Sequence, residues 1–177
     1  LEYKYSTNRG TSFSDGTDPV NGYTTLPPAV AFGRPGGTDR YVIARVSSSA
    51  NNGQIYRDYG NGSSAWAGWL GVSGAKSFTG VSLVRGSGYY IMTFPDDTGS
   101  RTVKATRSTD GVAWTTPASI GFSTPLRPAM ARLPGTDDIL MVYVDSQYRL
   151  QFWRSLDDGA NWSECVDQIC DPLGLNG

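Results

Sequence analysis

Ser155-Leu156-Asp157-Asp158-Gly159-Ala160-Asn161-Trp162 has the form S-x-D-x-G-x-x-W, and its reading decides the fold. A short Asp side chain beside a Ser can hydrogen-bond backbone N–H groups within a tight turn, and Gly supplies the positive φ that such a turn demands. The Trp then folds back as an apolar plug. Working outward, Ser108-Thr109-Asp110-Gly111-Val112-Ala113-Trp114 repeats the form with one residue fewer after the Asp. Ser6-Thr7-Asn8-Arg9-Gly10-Thr11-Ser12-Phe13 keeps the offsets, with Asn for Asp and Phe for Trp. Tyr56-Arg57-Asp58-Tyr59-Gly60 keeps the Asp and Gly offsets, and its Trp66 lies farther on. The anchors 8, 58, 110 and 157 stand 50, 52 and 47 residues apart, which is the beat of a repeat architecture.

The segments before each turn agree as well. Pro28–Phe32, Gly80–Val84 and Pro128–Leu133 are each followed by a Gly-containing turn and then by an apolar strand, Tyr41–Val46, Tyr89–Phe94 and Ile139–Val144. Val103–Thr106 and Tyr148–Trp153 lead into two of the turns with the alternation of half-buried strands. Each full repeat therefore holds four strands, A to D from the axis outward, and four-stranded units of this length build propeller blades. The expected organisation is an outer half-blade at 1–22, blades at 26–72, 78–122 and 124–170, and a tail at 171–177.

Composition agrees with an all-β chain and narrows the partners. Gly is abundant at 22 of 177 residues, Tyr and Trp together supply 15, and long helix-favouring runs are missing. Fifteen basic against sixteen acidic residues leave a net charge of −1, so no basic field exists to hold a phosphate backbone and nucleic acid is not an expected partner. No apolar run approaches the roughly 18 residues of a membrane span, and the N-terminus has no signal pattern; the chain reads as soluble and already processed or cut. Cys165 and Cys170 form either a local disulfide or two free thiols, since a chain without His cannot make the usual zinc site. A disulfide would favour a secreted or extracytoplasmic location. No metal and no cofactor is expected.

The combination of Pro-led strand, Gly turn, apolar strand and S-x-D-x-G-x-x-W turn covers nearly the whole chain and resembles the Asp-box, or BNR, repeats of sialidase-like β-propellers. The resemblance implies four-stranded antiparallel blades, about three and a half of them here, within a six- or seven-bladed ring. It also implies that the boxes are structural and sit in the C–D turns, on the face opposite the usual active site. Ser6, Asn8, Gly10, Phe13, Asp58, Gly60, Ser108, Asp110, Gly111, Trp114, Ser155, Asp157, Gly159 and Trp162 would fill those boxes. Three and a half blades cannot close a ring without exposing strand edges and apolar faces, so a second chain or a symmetry mate is expected to complete it.

The functional face of such a propeller is built from the starts of A strands, the ends of B strands and the B–C loops. That filter selects Asp96, Asp97, Asp145 and Tyr143 as catalytic candidates and Arg45, Arg127, Tyr148 and Asn52 as substrate-binding ones. Resemblance to sialidases implies three arginines on a substrate carboxylate, a Tyr nucleophile helped by Glu and an Asp acid/base, and planar bidentate Arg does suit carboxylates. The only glutamates are Glu2, beside the N-terminus, and Glu164, after the last box; neither is placed to assist Tyr143, so a complete sialidase site cannot be assembled from this chain alone. Three functions follow: part of a glycoside hydrolase acting on glycans, acidic ones among them; a glycan-binding, lectin-like propeller without catalysis; and a protein-binding or structural module.

Overall fold

The computed structural model describes residues 4–5, 11–12, 14–15, 24, 26–47, 53–61 and 66–165. Strands β1 (Lys4–Tyr5) and β2 (Ser14–Asp15) pair as a hairpin. The first four-stranded sheet is β3 (Ala29–Gly33), β4 (Arg40–Val46), β5 (Gln54–Gly60) and β6 (Leu70–Lys76). The second is β7 (Ser82–Arg85), β8 (Tyr90–Pro95), β9 (Thr102–Ser108) and β10 (Ala118–Ser123), and the third is β11 (Ala129–Arg132), β12 (Ile139–Val144), β13 (Leu150–Ser155) and β14 (Ser163–Glu164). Each sheet is an antiparallel meander in chain order, and among the described residues the only helical element is the short 3₁₀ turn Pro35–Gly37.

Packing explains the strand patterns. Val42, Ala44 and Val46 of β4 alternate toward the second sheet and meet Leu83, Tyr90, Met92 and Phe94. The second sheet is covered on both sides, so β8 reads as a continuous run, with every residue from Tyr90 to Pro95 buried. On its other face Thr93 Oγ1 lies 3.5 Å from the Met130 sulfur of β11. Burying side chains such as Phe94 and Met92 stabilises by roughly 1.5–3 kcal/mol each. The first strands β3, β7 and β11 lie side by side, with β7 touching both neighbours.

The two turns with complete motifs have the same geometry. Ser108 Oγ donates to Asp110 Oδ1 at 3.0 Å and accepts from Gly111 N at 2.8 Å, while Val112 N and Ala113 N donate to the same carboxylate oxygen. Ser155 Oγ donates to Asp157 Oδ1 at 2.9 Å and accepts from Gly159 N at 2.8 Å, and Asn161 N donates to Asp157 Oδ1. Trp114 Nε1 and Trp162 Nε1 each donate to their own glycine's carbonyl, Gly111 and Gly159, at 3.2 Å. For Asp110 and Asp157 burial pushes the carboxyl pKa up, but these hydrogen bonds outweigh it and hold both below the ordinary value.

The first sheet corrects the expected phase of the repeat. Asp58 and Gly60 lie within β5 and not in a turn. Tyr41 faces Gly60 as Tyr90 faces Ser108 and Ile139 faces Ser155, so Gly60 takes the place of the turn serine and Asp58 precedes it by two residues. Ala67 N donates to Tyr59 O as Thr115 N donates to Arg107 O. Trp66 is thus the counterpart of Trp114 and Trp162, and the true beat is 48 residues from 66 to 114 and again from 114 to 162. Asp58, fully buried, instead takes Tyr59 N and Gly68 N on Oδ1 and pins the returning chain to β5. Burial raises its pKa despite those bonds. Ser6, Asn8, Gly10 and Phe13 lie outside the described residues.

Both turns are also gripped by the sheet before them. Arg57 Nη2 donates to Val112 O at 2.9 Å, Arg40 Nη1 donates to Asp110 O, and Arg107 Nη1 comes within 3.4 Å of Asp157 O. In the reverse direction the Asp158 carboxylate accepts from Ser87 N, Ser87 Oγ and Gly88 N, all at 2.7 Å. These contacts lock successive sheets together at the box end.

Candidate functional site

Strand direction fixes two ends. The Ser-Asp-Trp turns join third to fourth strands, so the loops 96–101 and 145–149, which join second to third strands, lie at the opposite end with Ser47, Gly53 and the starts of β3, β7 and β11. Ser47, Asp96 and Asp145 are equivalent there, each donating its backbone N–H across the loop mouth, to Gln54 O, Thr102 O and Arg149 O.

That equivalence gives the expected acids another role. Asp145 Oδ1 accepts from Gln147 N at 2.8 Å and Arg149 N at 3.0 Å, while Oδ2 takes Arg149 Nε at 2.9 Å and Gln151 Nε2 at 3.1 Å. The backbone N–H of Arg149 and its companions hold the carboxyl at a pKa of about 2. A group so placed stays ionised at neutral pH and is no general acid. Asp96 is buried, accepts from Thr98 N and Thr98 Oγ1, and faces Lys104 Nζ at 3.4 Å. Both pin their loops, as Asx turns do. Tyr143 lies in β12 and is buried, its ring stacked on Phe122 with centroids 3.9 Å apart. Burial raises its phenol pKa, which disfavours the phenolate a nucleophile needs. Asp97 is exposed in the same loop as Asp96.

The binding candidates separate. Arg45 is buried in β4, its guanidinium 4.5 Å from the centre of the Trp69 ring and 5.2 Å from that of Tyr56, and desolvation lowers its pKa. Arg127 is exposed just before β11 and spans the end of the molecule, with Nη1 within 3.5 Å of both Pro27 O and Val81 O. It crosses Gly80 so closely that a Cβ there would stand 3.0 Å from Arg127 Cδ. One guanidinium thus touches the chain leading into all three first strands. Arg45 is held on the first sheet. Asn52 lies outside the described residues.

Sequence reasoning missed Arg101. Gly53, Arg101 and Tyr148 are equivalent, each preceding the residue whose carbonyl closes its loop mouth, Gln54, Thr102 or Arg149, and all three have positive φ, at 65°, 49° and 60°. At Gly53 a Cβ would approach Ser77 O to 2.5 Å, so only glycine fits. The backbone at this position asks for glycine, and an L-residue there costs about 1–2 kcal/mol. Two sheets nevertheless place large side chains in it. Arg101 and Tyr148 line one cleft of ≈ 290 Å³, with Ser100, Ser123 and Ser146 on its walls. Tyr148 is 78% exposed, so packing does not hold its ring there. The readable signal was Gly53 itself, 13 residues before Trp66 as Arg101 is 13 before Trp114; Tyr148 stands 14 before Trp162, because the third turn is one residue longer.

Three antiparallel four-stranded meanders whose first strands pack in series define a run of β-propeller blades. Two solved structures similar to this chain are sialidases, which supports a sialidase-like propeller fold. A mutant of Trypanosoma rangeli sialidase displaying trans-sialidase activity matches with a TM-score of 0.56 at 15% identity, over 92% of this chain and 32% of that one. Trypanosoma rangeli sialidase in complex with sialic acid matches with a TM-score of 0.53 at the same identity and coverage. The chain therefore spans about a third of the length of those structures, and at this identity the likeness is one of fold. No family model and no curated protein matches the chain.

Proposed function

We propose that the chain is part of a carbohydrate-active propeller and that its described residues hold a glycan rather than cleave one. The observation that carries this reading is Arg127, an exposed guanidinium set where the three first strands begin. A planar, permanently charged fork at that point suits a sugar carboxylate. Asp96 and Asp145 are committed to their own loops and Tyr143 to the core, so the acid, base and nucleophile of hydrolysis do not converge here. The turns gripped at the opposite end are read as Asp-boxes with a structural role.

A glycan array and titration with acidic oligosaccharides test the reading. Binding is expected, and Arg127→Ala weakens it at least about tenfold, roughly 1.4 kcal/mol. An array without a glycan hit, together with capture of a protein ligand, would establish the interaction-module reading instead. The hydrolase reading has one point in its favour, the exposed carboxylate of Asp97 on the same face. Turnover of a sialoside or aryl glycoside that Asp97→Asn abolishes would replace binding with catalysis.

We further infer that the ring is completed by blades beyond the described residues. Val30 and Phe32 are exposed on the first sheet while Ala29 and Ala31 turn toward the second; Leu150 and Phe152 are exposed on the third. Cys165 lies at the end of the described region with Cys170 beyond it, and a disulfide between them fits an extracytoplasmic glycan-binding protein. Thiol alkylation with and without prior reduction reads that bond directly.

A further inference from the structure

We propose that the cleft between loops 96–101 and 145–149 is a second ligand subsite, off the axis marked by Arg127, which takes one pyranose ring carrying a carboxylate. The ring stacks on Tyr148 and its carboxylate pairs with Arg101. This rests on the glycan reading above and adds a separate site to it.

Three observations converge. The first is the pair of large side chains at a glycine position, both opening on the same cleft. Backbone strain of this kind persists where surrounding structure enforces it, and here equivalent turns do so: Arg101 N donates to Thr98 O and Tyr148 N to Asp145 O, each at 3.0 Å. The Asx turns of Asp96 and Asp145 therefore act as the supports of this cleft. The second is its floor. Buried Thr124 takes its N–H to Arg101 O at 3.2 Å and its Oγ1 to Val144 O at 2.7 Å, fixing both walls against one another.

The third is chemistry. An exposed Tyr ring offers an apolar face with a polar tip, as sugar rings require. Arg101 uses Nη1 on Pro125 O at 3.2 Å and sits without an acidic side chain in the cleft lining. The remaining guanidinium N–H groups suit a carboxylate, and the Ser100, Ser123 and Ser146 hydroxyls suit sugar hydroxyls. At ≈ 290 Å³ the space is at the lower end of the roughly 300–1,000 Å³ of ligand clefts, which fits one ring and not a chain of them.

The test is calorimetric titration of the whole assembled protein with a sialic-acid-terminated oligosaccharide, a glucuronic-acid-terminated one and lactose as the neutral control. In an Arg127→Ala background, residual binding of an acidic sugar is expected. Adding Tyr148→Gly or Arg101→Gly weakens it at least about tenfold while Tm stays level or rises, and Tyr148→Phe retains it. Unchanged acidic-sugar affinity in Tyr148→Gly and Arg101→Gly, with binding abolished by Arg127→Ala alone, overturns the cleft and leaves the glycan reading standing. A loss of several degrees in Tm with each glycine variant would show that the side chains serve folding, and overturns it too. Binding lost through Tyr148→Gly but indifferent to Arg127→Ala supports the cleft and removes the axial assignment.

Discussion

At the scale of single residues, the same chemistry serves different ends according to its partners. Asp96, Asp97 and Asp145 look alike in sequence, yet two are pinned and one is exposed. Asp145 lends itself to a direct measurement. Its folded pKa of about 2 lies below the reference value of 3.8. Its stabilising contribution is therefore complete above about pH 4 and is lost as pH falls toward 2. Asp145→Asn should be less stable than the parent at pH 7, and the gap between their denaturation midpoints should narrow between about pH 4 and 2. A gap that stays constant through that window would mean the carboxylate is not ionically coupled to its loop. Asp58 shows the opposite case, a carboxyl whose burial raises its pKa even though Tyr59 N and Gly68 N donate to Oδ1.

At the scale of elements, the turn between third and fourth strands is both a closure and a clamp. Its Ser and Asp close the turn internally, and the residue after the Asp reaches the neighbouring sheet in the third repeat, where Asp158 sits at φ 54° to aim its carboxylate at Ser87 and Gly88. Asp158→Ala removes three charge-assisted bonds and should cost roughly 1.5–3 kcal/mol in chemical denaturation. Gly86 is bound to the same contact, since a Cβ there would stand 1.9 Å from Asp158 Oδ1. Gly86→Ala should destabilise strongly in the parent and much less in Asp158→Ala, a coupling a double-mutant cycle measures directly. Additive losses would place the strain elsewhere. The swapped pairs Arg40 over Tyr59 and Arg107 over Tyr89 show that the clamp tolerates exchange of strands as long as one guanidinium reaches the next turn.

At the scale of the molecule, the two outer sheets leave apolar side chains facing away from the second. Single exposed apolar residues need no explanation, but Leu150 and Phe152 alternate on one strand, next to Val142 and Val144 across β12. If further blades cover this face, Phe152→Glu should dissociate the assembly, with sedimentation shifting to the mass of the 19.0 kDa chain or to its bare covalent context. A parent chain that is already folded and unassociated at that mass contradicts ring completion by a partner.

The sequence by itself determined the all-β character, the four-strand repeat and the turn chemistry of Ser108-Asp110-Trp114 and Ser155-Asp157-Trp162, because alternation, glycine and short polar side chains act within a few residues of one another. It misplaced the first repeat: Asp58 and Gly60 imitate the box spacing, and only strand register shows that Trp66 holds the phase. It also chose Tyr143, Asp96 and Asp145 by their place near loops, where tertiary packing buries Tyr143 and loop hydrogen bonds hold the two carboxylates. Arg127 reaching toward Pro27, and Arg101 and Tyr148 opening on one cleft between two sheets, were decided by tertiary structure alone. Those pairs lie far apart along the chain, and nothing local tells a side chain which distant loop it will face.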